Sequence, residues 1–422
     1  MIKLLHFADA HIDLARQGRR DPETGLPVRV LDFLHALDTI VDTAVAEKVD
    51  LVIFAGDAYL DRTPAPTYQR EWGKRMMRLS EAGIQTIMVV GNHDVSPASG
   101  RAHTLQEFDT LQVPNIHVVS KPRLLGPDDL NGIPVQVIGI PWLNRSGLAA
   151  TLTDSDTAPD KVTDELEGQI TRIIEGFFDE LDPALPTILT SHISVQGASY
   201  GNERSVMLGK DLVLTASLVK DKRLDYVALG HIHKAQNLNP DGHPPVIYSG
   251  SIERVDFGEI DDEKSFMLAE VEKGKQTILK MMKLKGRPFI SRSISLDDPD
   301  AVQSQIMGAI PESDVIKDVL FRLIVTYPRD WEAMIDETAI RRAAETAFEF
   351  HFIRRPLTPA RLRIPGDKTI ANLPPAELLD LYWKTIAPET NDIDAINELA
   401  NEIIQMVELG AEFADVEEGS RL

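Results

Sequence analysis

The sequence predicts an α/β fold built from two packed mixed sheets flanked by helices. Three observations lead there. Apolar runs of strand length alternate with helical periodicity up to residue 90. Beyond Pro114, short apolar runs follow one another with fewer helical stretches between them. Five short motifs each fall just after such a run: Asp9-Ala10-His11, Gly56-Asp57, Gly91-Asn92-His93-Asp94, Ser191-His192 and Gly230-His231-Ile232-His233. Strand ends are where the loops of a layered α/β fold converge.

In chain order, residues 2–8 are apolar enough for a buried strand, and Leu31, Leu34, Val41 and Val45 recur at helical spacing between Val28 and Val49. Leu51 to Ala55 reads as a fully buried strand. Thr67 to Glu81 reads as a helix, with Thr67 as its N-cap and Gly83 just past its end. Thr86 to Val90 is the next strand, and this β-α-β repetition implies parallel strands covered by helices. Ile116–Val119, Val135–Ile140, Thr187–Thr190, Tyr226–Leu229, Val246–Tyr248 and Phe266–Leu268 supply the later strands. A boundary is expected at Gly286-Arg287-Pro288, ending a main domain over 1–285. Beyond it, strands at Phe289–Ile294 and Phe321–Tyr327 with helices at Pro299–Ile310 and Asp330–Phe348 make a small α+β unit over 286–355. Pro356, Pro359 and Pro365 mark an extended linker over 356–373. Residues 374–410 then read as two helices split by Pro388, with stripes Leu378, Leu379, Tyr382, Ile386 and Ile393, Ile396, Ile403, Val407.

Composition narrows the class. The chain has 422 residues, too many for one ordinary domain, and 43% of them are hydrophobic, enough for a real core. No apolar run approaches the ~20 residues of a membrane span, so no membrane association is expected. The N-terminus enters the first motif within nine residues, which argues against a removable signal segment. Cysteine is absent, which rules out disulfides and thiolate metal sites and fits a cytoplasmic location. The net charge of −22 argues against a protein that coats DNA by neutralising phosphates alone. It leaves open a nuclease whose metals and partner hold the DNA.

The motifs carry metal chemistry. Asp-x-His places a carboxylate and an imidazole on the same side of an extended segment, a donor pair suited to Mn²⁺, Fe²⁺ or Zn²⁺. Asp57 has no cationic side chain closer in sequence than Arg62, so a metal is a sensible partner. Gly91 permits a tight turn, Asn92 offers a neutral oxygen, and His93 can sit over a substrate. His231 and His233, two residues apart, are expected to share a face. An isolated histidine is more often a satisfied, non-ligand side chain, and His6, His35, His103, His117, His243 and His351 are read that way. The ordered set of five motifs is not, because residue types, order and strand-end context agree. Two metals about 3.5–4 Å apart are a common device for cleaving phosphate esters.

The ordered set resembles the calcineurin-like metallophosphoesterase superfamily, whose pattern is D-x-H, G-D, G-N-H-[DE], H and G-H-x-H. Thr190-Ser191-His192, Leu229-Gly230-His231-Ile232-His233 and the stretch Tyr248-Ser249-Gly250-Ser251-Ile252-Glu253-Arg254 with Phe257 and Glu259 look more narrowly like SbcD-type nuclease subunits of SbcCD DNA-repair complexes. The resemblance implies a four-layer α/β/β/α sandwich, a capping domain at 286–355, and a C-terminal helical tail that docks on the coiled-coil base of an SMC-like ATPase. It implies two divalent ions, Mn²⁺ foremost. One would be held by Asp9, His11, Asp57 and His233, and the other by Asp57, Asn92, His192 and His231, with Asp57 bridging. His93 would protonate the leaving oxygen and Asp94 would orient its imidazole. The implied activity is exonuclease and endonuclease cleavage of single- and double-stranded DNA by a homodimer joined to two ATPase subunits. One departure stands out: three residues after the bridging Asp, many members carry His or Asp, and here that position is Leu60 followed by Asp61. The competing expectation is a stand-alone metallophosphoesterase for a small phosphoester or a phosphoprotein.

Overall fold

The computed structural model describes residues 1–14, 19–96, 101–143, 159–200 and 212–357, with isolated positions between 374 and 404. Two six-stranded mixed sheets form the larger part. The first has the order β14-β13-β1-β2-β3-β4. Its members are β1 (Ile2–Phe7), β2 (Leu51–Phe54), β3 (Gln85–Val89), β4 (Ile116–Val119), β13 (Ser265–Val271) and β14 (Ile278–Lys283). The second has the order β11-β12-β10-β7-β6-β5. It comprises β5 (Arg123–Leu125), β6 (Gln136–Ile140), β7 (Thr187–His192), β10 (Tyr226–Gly230), β11 (Gln236–Asn237) and β12 (Val246–Tyr248). The intervening β8 (Ser194–Val195) and β9 (Val213–Leu214) form a separate two-stranded ladder. Strands β1 to β4 are mutually parallel, as are β6, β7, β10 and β12, so the motif-bearing strands of each sheet end on one side.

Side-chain alternation with period two explains the layering. Leu4, Leu51, Ile53, Ile87 and Val89 of the first sheet meet Val137, Ile188, Tyr226, Ala228 and Ile247 of the second in one buried cluster between the sheets. Their neighbours Leu5, Phe7, Val52, Phe54 and Met88 point the other way, onto helices α1 (Val28–Ala46) and α2 (Pro66–Glu81). On the far side, Ile138, Leu189, Val227 and Leu229 pack with Leu166, Ile170, Ile174 and Phe178 of helix α3 (Pro159–Glu180). The result is the expected four-layer α/β/β/α sandwich. Helix α3 is not among the elements the sequence predicts, and α2 starts before the predicted Thr67 cap. That helix begins at Pro66, with exposed Ala65 at the N-cap position and no side-chain cap, so Thr67 lies inside it. Proline at the first helical position needs no N–H there and presets φ.

The chain divides into two compact units, Met1–Arg292 with Ile310–Leu323 and Arg341–His351, and Ser293–Ala309 with Ile324–Ile340 and Phe352–Leu422. A three-stranded sheet has the order β15 (Phe289–Ser295), β16 (Leu320–Pro328), β17 (Glu349–Leu357). Strand β17 was not anticipated. It runs through Pro356, a residue an edge strand tolerates because its outer side needs no N–H. In the second unit, helix α4 (Val302–Ala309) buries Val302 and Ile306. The expected helix over Asp330–Phe348 is instead a 3₁₀ turn, Arg329–Met334, followed by the short helix α5 (Glu337–Ala343). Extended backbone at Ile335 separates them, and the Asp336 N–H bonds the Gln303 side chain at 3.0 Å. The two tail helices expected over 374–410 lie outside the described residues apart from isolated positions.

Candidate metal centre

The five motifs meet at the strand ends. Strand β1 stops at Phe7, and the following loop is zipped onto the loop after β2: the N–H groups of Asp9, Ala10 and Ile12 donate to the carbonyls of Gly56, Asp57 and Ala58 at 2.9, 2.8 and 3.1 Å. The expectation of an extended Asp-x-His segment is corrected here. Asp9 and His11 have φ of 50° and 39°, Asp57 has 64° and His231 has 99°. Four non-glycine residues of one cluster thus occupy left-handed backbone, which costs on the order of 1–3 kcal/mol each and persists only where surrounding structure enforces it. Close packing adds a further constraint. A Cβ on Gly91 would collide with the Asp57 carboxylate and backbone, and one on Gly56 with the His192 ring.

Donor atoms converge in two groups. Asp9, His11 and His233 place one donor atom each within 4.8 Å of one another, as do Asp9, Asp57 and His192. Asn92 joins the second group, its side-chain oxygen 2.9 Å from His192 Nε2 and 3.0 Å from His231 Nδ1. One oxygen of Asp57, Oδ2, lies 3.2 Å from His192 Nε2 and 3.9 Å from His11 Nε2, between the two groups. Its other oxygen accepts the His93 N–H at 2.8 Å. All seven expected ligand residues are therefore brought together. His231 and His233 do not share a face: one turns to Asn92 and the other to His11.

Hydrogen bonds fix which ring nitrogen each imidazole presents. His192 Nδ1 meets the Ala55 carbonyl at 2.7 Å, His11 Nδ1 meets the Tyr59 carbonyl at 3.2 Å, and His233 Nδ1 meets the Glu259 carboxylate at 2.7 Å. A carbonyl or carboxylate oxygen can only accept, so each Nδ1 carries a proton and Nε2 is the nitrogen left to face an ion. The Nε2 atoms of His11 and His233 face each other at 3.1 Å. Burial, and then the neighbouring His233, hold the His11 pKa down to about 3, so the His11 ring is neutral at neutral pH. Two ring nitrogens aimed at one another at that separation suit a shared cation between them. Nitrogens about 2.1 Å from one ion and at right angles stand ~3 Å apart, so the donors fit a bound divalent metal.

Electrostatics agree. Burial opposes ionisation of Asp57, but His192, His93 and His11 around it hold its carboxyl far below the ordinary range. Burial raises the Asp9 pKa, against the pull of His192 and His233, and both its oxygens accept the His231 N–H at 3.1 Å. Glu259 is likewise disfavoured by burial, yet His233 and Lys264 bring it down to about 2. The buried Lys264 ammonium lies 2.7 Å from Glu259 and 2.8 Å from the Ser251 hydroxyl.

Two expectations about the acid change. His93 Nδ1 donates to the Leu60 carbonyl at 2.7 Å, so Leu60, the departure from the family pattern, contributes its backbone. Asp94 does not orient the His93 ring. Its carboxylate accepts the N–H groups of Asp57, Ala58 and Gly91 and the Thr104 hydroxyl, at 2.9, 3.1, 2.9 and 2.8 Å, and so ties the loop after β2 to the loop after β3. Burial and the Asp57 charge raise its pKa to about 6. Residue-by-residue reading also missed Lys264 and Trp142, whose ring lies 5.1 Å from that of His231. Of the histidines read as bland, His117 bonds Gln85, His243 lies near Asp225, His351 pairs with Glu349, His35 is exposed, and His6 bonds the Tyr226 hydroxyl inside the core, whereas the buried His103 Nδ1 has no hydrogen-bond partner among the described residues.

An α/β/β/α sandwich with Asp, His and Asn donors for divalent ions at its strand ends defines the class as metal-dependent phosphoesterases. The chain belongs to the calcineurin-like phosphoesterase family, whose sequence pattern matches residues 2–235 and so contains all seven donor residues. Among solved structures, a dimetal phosphatase from Danio rerio is 12% identical with a TM-score of 0.37, the match covering 67% of this chain and 96% of that one. Protein TT1561 from Thermus thermophilus is 15% identical with a TM-score of 0.37, covering 64% of this chain and 98% of that one. No helix among the described residues is long and apolar enough to cross a membrane.

Proposed function

We propose that the chain is an SbcD-type nuclease subunit that hydrolyses DNA phosphodiester bonds with two divalent ions, Mn²⁺ in first place, and works with an SMC-like ATPase in the cytoplasm. The observation that carries the reading is the role of the stretch from Tyr248 to Glu259. This is the segment whose sequence looks specifically SbcD-like, and its last residue supplies the carboxylate that holds His233. Asp9, His11, Asp57 and His233 would hold one ion, and Asp57, Asn92, His192 and His231 the other. Bound ions supply positive charge for the phosphoryl oxygens and a lowered pKa for attacking water. The chain's own contribution is orientation. Asp57 keeps one oxygen for the ions by giving the other to the His93 N–H. His93, with Nδ1 committed to Leu60, presents Nε2 as the atom that hands a proton to the leaving oxygen. Residues 286–355 would cap the site, and the tail over 374–410 would dock on the ATPase coiled coil, within a homodimer joined to two ATPase subunits.

The test is direct. Protein stripped by chelator and refilled with Mn²⁺ is expected to cut single- or double-stranded DNA, and no cleavage with the ATPase and ATP present would contradict the reading. The net charge of −22 favours a second reading, a stand-alone phosphoesterase for a small phosphoester or phosphoprotein. Faster turnover of a cyclic nucleotide or a phosphopeptide than of DNA would select it.

A further inference from the structure

We propose that Asp13 is a positioning residue for the leaving-group acid, acting on His93 through two peptide planes of the loop after β2. The inference rests on the role just assigned to His93. Asp13 Oδ1 accepts the Leu60 N–H at 2.5 Å and Oδ2 accepts the Asp61 N–H at 3.1 Å. Each of those N–H groups shares a rigid trans peptide plane with a carbonyl pointing the opposite way. The Leu60 N–H shares its plane with the Tyr59 carbonyl, which accepts His11 Nδ1–H at 3.2 Å. The Asp61 N–H shares its plane with the Leu60 carbonyl, which accepts His93 Nδ1–H at 2.7 Å. One carboxylate therefore grips the back edges of two planes whose front edges orient two imidazoles.

The arrangement has an electronic side as well. A carboxylate accepting from a peptide N–H polarises that peptide and makes its carbonyl a stronger acceptor. Asp94 anchors the same loop at its other end, through the N–H groups of Asp57 and Ala58. Without Asp13, the Leu60–Asp61 plane loses the hydrogen bond opposite His93 and can rotate. The His93 ring then loses the fixed tautomer and aim that its Nε2 needs. Asp13 touches neither substrate nor ion in this scheme.

Leaving-group dependence tests it in the Mn²⁺-loaded full chain. Two phosphodiesters are compared, thymidine 5′-(p-nitrophenyl phosphate), whose nitrophenolate leaves without a proton, and a short DNA strand, whose alkoxide needs one. Asp13→Ala is expected to lower kcat on DNA by roughly 10–100-fold and to cost at least ten-fold less on the nitrophenyl ester, with KM little changed. Asp13→Asn keeps the volume and one acceptor oxygen, guards against a folding failure, and is expected to fall between. In the double variant with His93→Asn, Asp13→Ala is expected to add little, because both changes remove one function. Equal losses on both substrates in both Asp13 variants, or independent losses that multiply in the double variant, would overturn the proposal. If His93→Asn itself fails to discriminate between the substrates, the role of His93 falls first and Asp13 with it. If His93→Asn discriminates and the Asp13 variants do not, only the present inference falls.

Discussion

At the scale of single residues, His93, Glu259 and His6 do three kinds of work, and each can be measured. His93→Asn is expected to keep the bound metal and to slow phosphodiester cleavage by roughly 10²–10⁴-fold. Elemental analysis separates this from a ligand role, since loss of a metal equivalent would mean the residue binds an ion. Glu259→Gln replaces the charged acceptor that holds His233 with a neutral amide, and partners of this kind set metal affinity by about 10–100-fold. Titration of the stripped variant with Mn²⁺ is expected to show one weakened equivalent, and unchanged affinity would refute the orienting role. His6 does a different job. It lies wholly buried between the sheets, its Nδ1 on the Tyr226 hydroxyl, and burial lowers its pKa from 6.5 to about 3. The folded chain thus takes up this proton later than the unfolded chain. The stability it contributes is intact above pH 6.5 and is lost as pH falls towards 3, by up to ~1.4 kcal/mol per pH unit. His6→Phe is therefore expected to flatten the acid-side loss of stability, read from denaturant midpoints at about pH 7 and 5, and an unchanged slope would count against it. The ligand residues were legible in sequence because each sits beside a glycine, another ligand or a strand end in a recognisable order. Asp13, Lys264 and the true partner of His93 were not, because their effect depends on hydrogen bonds made across 47, 5 and 33 residues of chain.

At the scale of elements, periodicity located the strands well and the helix ends less well. Strands β2 and β3 pack one face on helices and the other on a second sheet, so their unbroken apolar runs left little ambiguity. Helix α3 was harder, because its buried stripe of Leu166, Ile170, Ile174 and Phe178, flanked by partly buried Ile173 and Phe177, runs through a strongly charged background. The start of α2 was misplaced because a threonine one residue inside a helix carries the same sequence signal as a cap. The structure shows that Ala65 occupies the N-cap with extended backbone and no side-chain hydrogen bond. Ala65→Asp should therefore stabilise the chain by about 0.5–1 kcal/mol, by supplying the side-chain cap that Ala65 lacks and by placing a negative charge at the positive end of the helix dipole. Equilibrium unfolding would check it, and a destabilised variant would show that the site is not a free N-cap.

At the scale of the whole molecule, two features pull in different directions. The charge of −22 makes unaided DNA binding weak and steeply salt-dependent, whereas the metal centre is built for phosphoesters. A partner that supplies the basic surface reconciles them under the proposed function. Deleting the residues after Pro365 is expected to abolish co-purification with the ATPase and to leave metal content and basal Mn²⁺-dependent cleavage in place. Retained co-purification, or loss of metal, would contradict that use of the tail. Under the proposed function, and independent of any partner, Asp57 would be the carboxylate shared by two ions. Calorimetric titration of the chelator-stripped chain with Mn²⁺ tests it most directly, read beside phosphodiesterase activity. The account predicts two equivalents for the wild-type chain, activity that rises only as the second fills, and no more than one equivalent with Asp57→Asn. A single equivalent in the wild-type chain, or two undisturbed equivalents in Asp57→Asn, would contradict it.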